Sequence, residues 1–95
     1  MRTTKREIVR TSAFKHDFKR EKRTDRLLES ILAPVLSALA NDTPLASKYS
    51  EHALTGDWLP NRDCHIKPDL VLIYQKPDEE TLLLMRLGSH SELGI

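Results

Sequence analysis

Between Leu27 and Leu39 the apolar side chains fall at Leu27, Leu28, Ile31, Leu32, Val35, Leu36 and Leu39. That 3.6-residue period predicts a helix with one face laid on a core. In a chain of 95 residues one such helix commits much of the core, since a domain this short buries only about 60–65% of its extended-chain surface. Thr24 is its predicted N-cap, and Asp25 suits the positive end of its dipole. Pro34 removes one backbone donor and predicts a kink, or a split near Leu32. Asn41-Asp42-Thr43-Pro44 ends the helix.

The partner for that face lies downstream. Asn61–Ile66, Leu70–Gln75 and Thr81–Leu87 are short β-prone runs, separated by Lys67-Pro68-Asp69 and Pro77-Asp78-Glu79-Glu80. They predict an antiparallel meander. Leu82, Leu83, Leu84, Met85 and Leu87 are nearly continuous, as in a central strand covered on both faces. Upstream, Arg6–Thr11 reads as a strand. Ser12 is the expected cap of a helix from Ala13 to about Arg23, with Phe14 and Phe18 on one side. The order strand, two helices, three strands predicts a single α+β domain over residues 1–95, two helices packed on one face of a mainly antiparallel sheet. Residues 45–60 carry little periodicity and read as a loop, with a short helical turn near Ala46–Tyr49. A loop that long in so small a domain points to function.

Charge is divided unevenly. Residues 1–26 hold ten Lys or Arg against four Asp or Glu, while residues 27–95 hold five against ten. A basic segment on an otherwise acidic chain suits a polyanion, whose condensed counterions are released on binding. No apolar run reaches the roughly 20 residues that span a bilayer. Met1–Arg10 lacks the apolar stretch of a secretory signal, and Cys64 has no second cysteine to pair with. A cytoplasmic protein without a membrane partner is the expectation.

Three of the four histidines, His52, His65 and His90, stand in the C-terminal half beside carboxylates. Alternation along a strand puts Asp63 and His65 on one face and turns Cys64 to the other. Asp69 follows the adjoining turn. Arg86 and His90 share parity and face one side if the last strand runs on through Gly88. Histidine suits proton transfer in either direction near pH 7, and arginine suits phosphoryl oxygens because its planar fork donates two hydrogen bonds. The set has the parts for RNA cleavage by internal transfer, without metal or other cofactor. The same side chains are also potential ligands for a divalent ion, although no standard zinc spacing is present. His16 reads as a surface residue, Tyr74 as packing, and Trp58 as a pin for its loop.

Three blocks of residues resemble a known family. Lys48-Tyr49-Ser50-Glu51-His52-Ala53-Leu54-Thr55-Gly56, Arg62-Asp63-Cys64-His65-Ile66-Lys67-Pro68-Asp69 and Arg86-Leu87-Gly88-Ser89-His90 look like the YafQ branch of the RelE-type toxins. The resemblance implies a microbial-ribonuclease-like fold and a toxin of a type II toxin–antitoxin system that cuts mRNA, in this family generally on the ribosome. It implies a cognate antitoxin, with DNA contacted only through the antitoxin complex. By the same likeness His52, His65, Asp69, His90 and Asp63 are the catalytic positions, and Arg86 the phosphate-binding one. The tail Ser91-Glu92-Leu93-Gly94-Ile95 lacks the aromatic residue common there. A binding-only module acting in operon autoregulation is the alternative, and a metal-dependent hydrolase a further one.

Overall fold

The computed structural model describes residues 5–95, so the part of the basic segment before Lys5, with Arg2, lies outside the described residues. Strand β1 (Glu7–Arg10) leads into helix α1 (Ser12–Lys22), and helix α2 (Leu28–Ala40) follows. A two-residue strand β2 (His52–Ala53) lies between single 3₁₀ turns at Ser47–Tyr49 and Gly56–Trp58. Then come β3 (Arg62–Lys67), β4 (Leu70–Gln75), β5 (Thr81–Gly88) and a one-turn helix α3 (His90–Leu93). The five strands form one sheet in the order β1-β5-β4-β3-β2, antiparallel except for β1, which pairs parallel with β5. The expected α+β architecture is present, with α3 and β2 in addition. No helix among the described residues is long and apolar enough to cross a membrane.

Helix α2 buries Leu28, Leu32, Val35 and Leu39 of the predicted stripe, each at most 3% exposed, while Leu27, just before the helix, is 66% exposed. The buried side chains pack with Phe14 of α1 against Cys64, Leu72, Tyr74, Leu82, Leu84 and Leu87 of the sheet. Pro34 sits inside this helix without splitting it. One lost backbone bond is outweighed by the burial of the side chains that flank it, each worth about 1.5–3 kcal/mol. Thr24 does not cap α2. Its hydroxyl donates to the Glu21 carbonyl, and the Asp25 carboxylate accepts the Leu27 N–H instead.

The cap of α1 is likewise Thr11 and not Ser12: its hydroxyl oxygen accepts the Phe14 N–H at 3.0 Å. The same hydroxyl lies 3.0 Å from the carbonyls of Leu84 and Met85, so it ties the helix start to β5. Thr11→Ala is expected to cost about 1 kcal/mol, read as a lower midpoint in urea unfolding. An unchanged midpoint would show that water replaces the hydroxyl without loss.

The other face of the sheet is covered more lightly. Val71, Ile73 and Leu93 form a small buried cluster there, with Leu54, Trp58 and Met85 half-covering it. Trp58 thus holds its loop against this face, and the tail's Leu93 fills the centre.

Candidate active site

Register assigns the polar side chains to this second face. Cross-strand partners share a face, and one row crosses the sheet as His52, Asp63, Ile73 and Arg86. The next row is His65, Val71 and Gly88. Asp63 and His65 therefore point away from α1 and α2, as alternation predicts. Cys64 points into the main core, where burial, reinforced by the charges of Asp63 and Glu51, pushes its thiol up to about 12.

Two bulges adjust this pattern. One, where Met85 is the extra residue, lets Arg86 pair with Ile73 although Leu84 pairs with Tyr74. The other, between His65 and Lys67, turns Lys67 to the side of Leu70 and α2. There its ammonium binds the Asp25 carboxylate. Bulges re-aim side chains in this way at sheet rims and beside active sites.

The histidines converge. His65 stands between the other two, its ring centre 6.3 Å from that of His52 and 5.1 Å from that of His90. His52 reaches the row because Ser50 takes a left-handed conformation, φ 48°, turning the chain into β2. The Ser50 carbonyl lies 2.7 Å from His52 Nδ1, with Asp63 Oδ1 at 3.5 Å. His90 arrives differently from the expectation. Strand β5 stops at Gly88, and Ser89 starts α3 with a capping box, its side chain accepting from the Glu92 N–H while Glu92 accepts from the Ser89 N–H. His90 thus sits on a helical turn, not on an extension of the strand shared with Arg86. Its backbone N–H and its Nδ1 both meet Asp69 Oδ1, at 3.0 and 2.7 Å. Those two bonds hold the Asp69 carboxyl below the usual carboxylate range.

This geometry fixes the tautomers. For both His52 and His90 the neighbours of Nδ1 are acceptors, so Nδ1 carries a proton. Neither Nε2 takes part in a hydrogen bond among the described residues, so each can act as a base when neutral and an acid when protonated. Asp63 is buried at 2% exposure, and its Oδ1 has no hydrogen-bond partner.

Arg86 is held by a residue that the sequence reading did not single out. Asp17 of α1, 2% exposed, accepts from Arg86 Nε at 2.6 Å and Nη2 at 3.3 Å. It also accepts from the Leu87 N–H at 3.0 Å and from Arg20 Nη1 at 3.1 Å. Arg20 Nη2 in turn donates to the Leu87 carbonyl. The only signal in the sequence was position: Asp17 lies three residues after Phe14, on the buried side of α1. Among the described residues no three His, Cys, Asp or Glu side chains are grouped so as to hold a metal ion.

Comparison with known proteins gives a family. Residues 6–94 match the family model described as bacterial toxin of type II toxin–antitoxin system, YafQ. The chain is 40% identical over 72 residues to the putative toxin YafQ of Haemophilus influenzae, covering 73% of this chain and 71% of that protein. It is 30% identical over 88 residues to the mRNA interferase toxin YafQ of Escherichia coli K12, covering 93% and 95%. Among solved structures, the E. coli DinJ–YafQ complex superposes with a TM-score of 0.82 at 32% identity, covering 93% of this chain and 97% of that one. A copper-bound mutant toxin from Helicobacter pylori gives 0.86 at 40%, covering 92% and 97%.

Proposed function

The chain belongs to the YafQ family of bacterial toxins of type II toxin–antitoxin systems, and from that premise we propose that it is an endoribonuclease that cuts mRNA by internal transfer. The observation that carries the reading is the pair of anchored imidazoles, His52 and His90, on either side of His65, each with Nδ1 occupied and Nε2 free. One histidine removes the ribose 2′-OH proton, and the 2′-oxygen attacks the adjacent phosphorus. Another protonates the departing 5′-oxygen, leaving a 2′,3′-cyclic phosphate and a 5′-hydroxyl. His90 takes one of these roles, and His52 or His65 the complement. Asp69 fixes the tautomer and angle of His90, and Asp63 stands behind His52. Arg86, with its Nε and Nη2 committed to Asp17, offers its remaining donors to the phosphoryl oxygens. Each role has a side chain, so the reaction as drawn needs no metal.

Removing the anchor of His90 should weaken the proton transfer without abolishing it. For Asp69→Ala the expectation is a cleavage rate lower by roughly tenfold to a hundredfold, within the range of general acid–base effects. Equal rates for wild type and variant would separate Asp69 from the chemistry.

The basic surface supports a polyanion partner. Lys15, Lys19, Arg23 and Arg26 are exposed on and after α1. They would meet the phosphates of mRNA or of the ribosome, through contacts that weaken as salt is raised. An antitoxin encoded with the chain would hold it in check, as in the E. coli complex with DinJ, and would carry any contact with DNA. The test is induced expression with mapping of RNA 5′ ends in chelator-quenched extracts. In-frame cuts inside translated messages, bearing 5′-hydroxyls, are expected. Intact messages beside folded protein would favour a binding-only module acting in autoregulation, and loss of cutting under chelation in vitro would favour a metal-dependent one.

A further inference from the structure

Strand β2 covers only Arg62 and Asp63 of β3. From Cys64 to Lys67 the outer edge of β3 has no strand beside it among the described residues, and a groove of about 550 Å³ opens there. Its walls are Ile31 and Pro34 of α2, Tyr49 and Lys48 of the first 3₁₀ turn, and His65 and Lys67 of β3. His65 belongs to this groove and to the histidine row alike, so a chain lying across the row runs into the groove without leaving the surface. The chemistry changes along that path, from proton-transfer groups to a flat aromatic ring with two ammonium groups.

We propose that this groove is a subsite for the nucleotide adjoining the cut, its base laid against Tyr49 and its phosphate drawn between Lys48 and Lys67. The proposal rests on the ribonuclease reading above and extends it to substrate selection. Tyr49 is half-buried and braced on the main core, so its ring offers area at little cost in order. Lys48 Nζ stands over that ring, 5.2 Å from its centre. A base entering the groove takes the place of the ammonium on the ring and releases it toward the backbone phosphate. Lys67 lines this groove, and its ammonium is bonded to Asp25 of the neighbouring pocket, which Lys67 also lines. A phosphate adds a second anion to the same ammonium. Ile31 and Pro34 give an apolar wall that suits a base and not a bare phosphate. No acidic side chain lines the groove.

The test uses a single-stranded hexanucleotide with 2′-O-methyl riboses, which lacks the attacking hydroxyl and stays intact. Titrated into the folded protein, it should shift the NMR signals of Ile31, Tyr49 and Ile66 together with those of the histidine row. Tyr49→Leu keeps apolar bulk on the core but lacks the ring, and should weaken binding roughly tenfold, as loss of one stacking partner does. Tyr49→Phe should restore it. In cells, Tyr49→Leu should cut messages with a weaker preference at the neighbouring nucleotide. A silent groove, with equal affinity for Tyr49→Leu and wild type, would overturn the subsite and leave the ribonuclease reading standing if messages are still cut. Groove signals that shift in a protein that cuts no message would do the reverse. Unchanged RNA binding with weaker capture of the antitoxin would reassign the groove to a protein partner.

Discussion

Replacing His90 by alanine is expected to lower RNA cleavage by about 10²- to 10⁴-fold, the usual share of a positioned acid or base, while leaving the fold intact. The imidazole projects from the first turn of α3 and is partly exposed; its ring is bonded to Asp69, which is itself on the surface. The contacts that fasten α3 do not involve the imidazole. They are the Ser89–Glu92 capping box, the buried Leu93, and the His90 N–H bonded to Asp69. Circular dichroism should therefore be unchanged, and the thermal midpoint should shift by a few degrees at most. Two results would count against this placement: full activity in a folded variant, or loss of activity that tracks loss of structure.

Asp17→Ala should do the opposite, harming stability far more than the chemistry requires. Removing the carboxylate leaves the Leu87 N–H without its acceptor and two guanidinium groups without their shared partner. A broken buried pair costs about 3–5 kcal/mol. Arg20 and Arg86 are each about a third exposed, so solvent screens part of that loss, and about 2–3 kcal/mol is expected. For a domain of this length that lowers the thermal midpoint by roughly 10–20 °C. Burial alone would raise the Asp17 carboxyl. The bonds from Arg86 and the Leu87 N–H, with the charges of Arg86 and Arg20, outweigh it and hold the group below its ordinary 3.8. A carboxylate depressed in the folded state stabilises fully above its unfolded value and loses that contribution as pH falls through its folded one. The stability gap between wild type and Asp17→Asn should thus be widest above about pH 5 and close progressively below about pH 4. A gap independent of pH would show that the charge on Asp17 contributes nothing.

What could be read from the sequence was whatever repeats. The stripe of α2 and the alternation of β3 persist over enough residues to declare themselves, and with them came the shared face of Asp63 and His65. Strand β2 is two residues long and has no period to detect. It exists because β3 offers an edge, and without it His52 could be assigned only to a loop. Pro34 does not split α2, because the packing of the flanking side chains overrides the local backbone preference. Arg86 and His90 were compared by parity, but a bulge shifts the first and a helical turn replaces the strand before the second. The capping box Ser89-x-x-Glu92 was legible as a helix start, yet it opens a single turn, too short for any periodic signal. Asp17 was hidden by its company, a carboxylate among the lysines of α1 that reads as surface charge until β5 is placed beside it.

The parallel pairing of β1 with β5 brings Glu7 beside Thr81, 74 positions later in the chain. On a ribosome making this protein, β1, α1 and α2 are all synthesised before the strand that must receive them exists. Closing so long a loop is slow, and the local hairpins of β3, β4 and β5 have no such wait. The histidine face follows the same calendar, since His52 and His65 are made well before His90 and its anchor to Asp69 forms last. A copy whose last strand has not yet emerged therefore holds neither the sheet that receives α1 nor the His90–Asp69 pair.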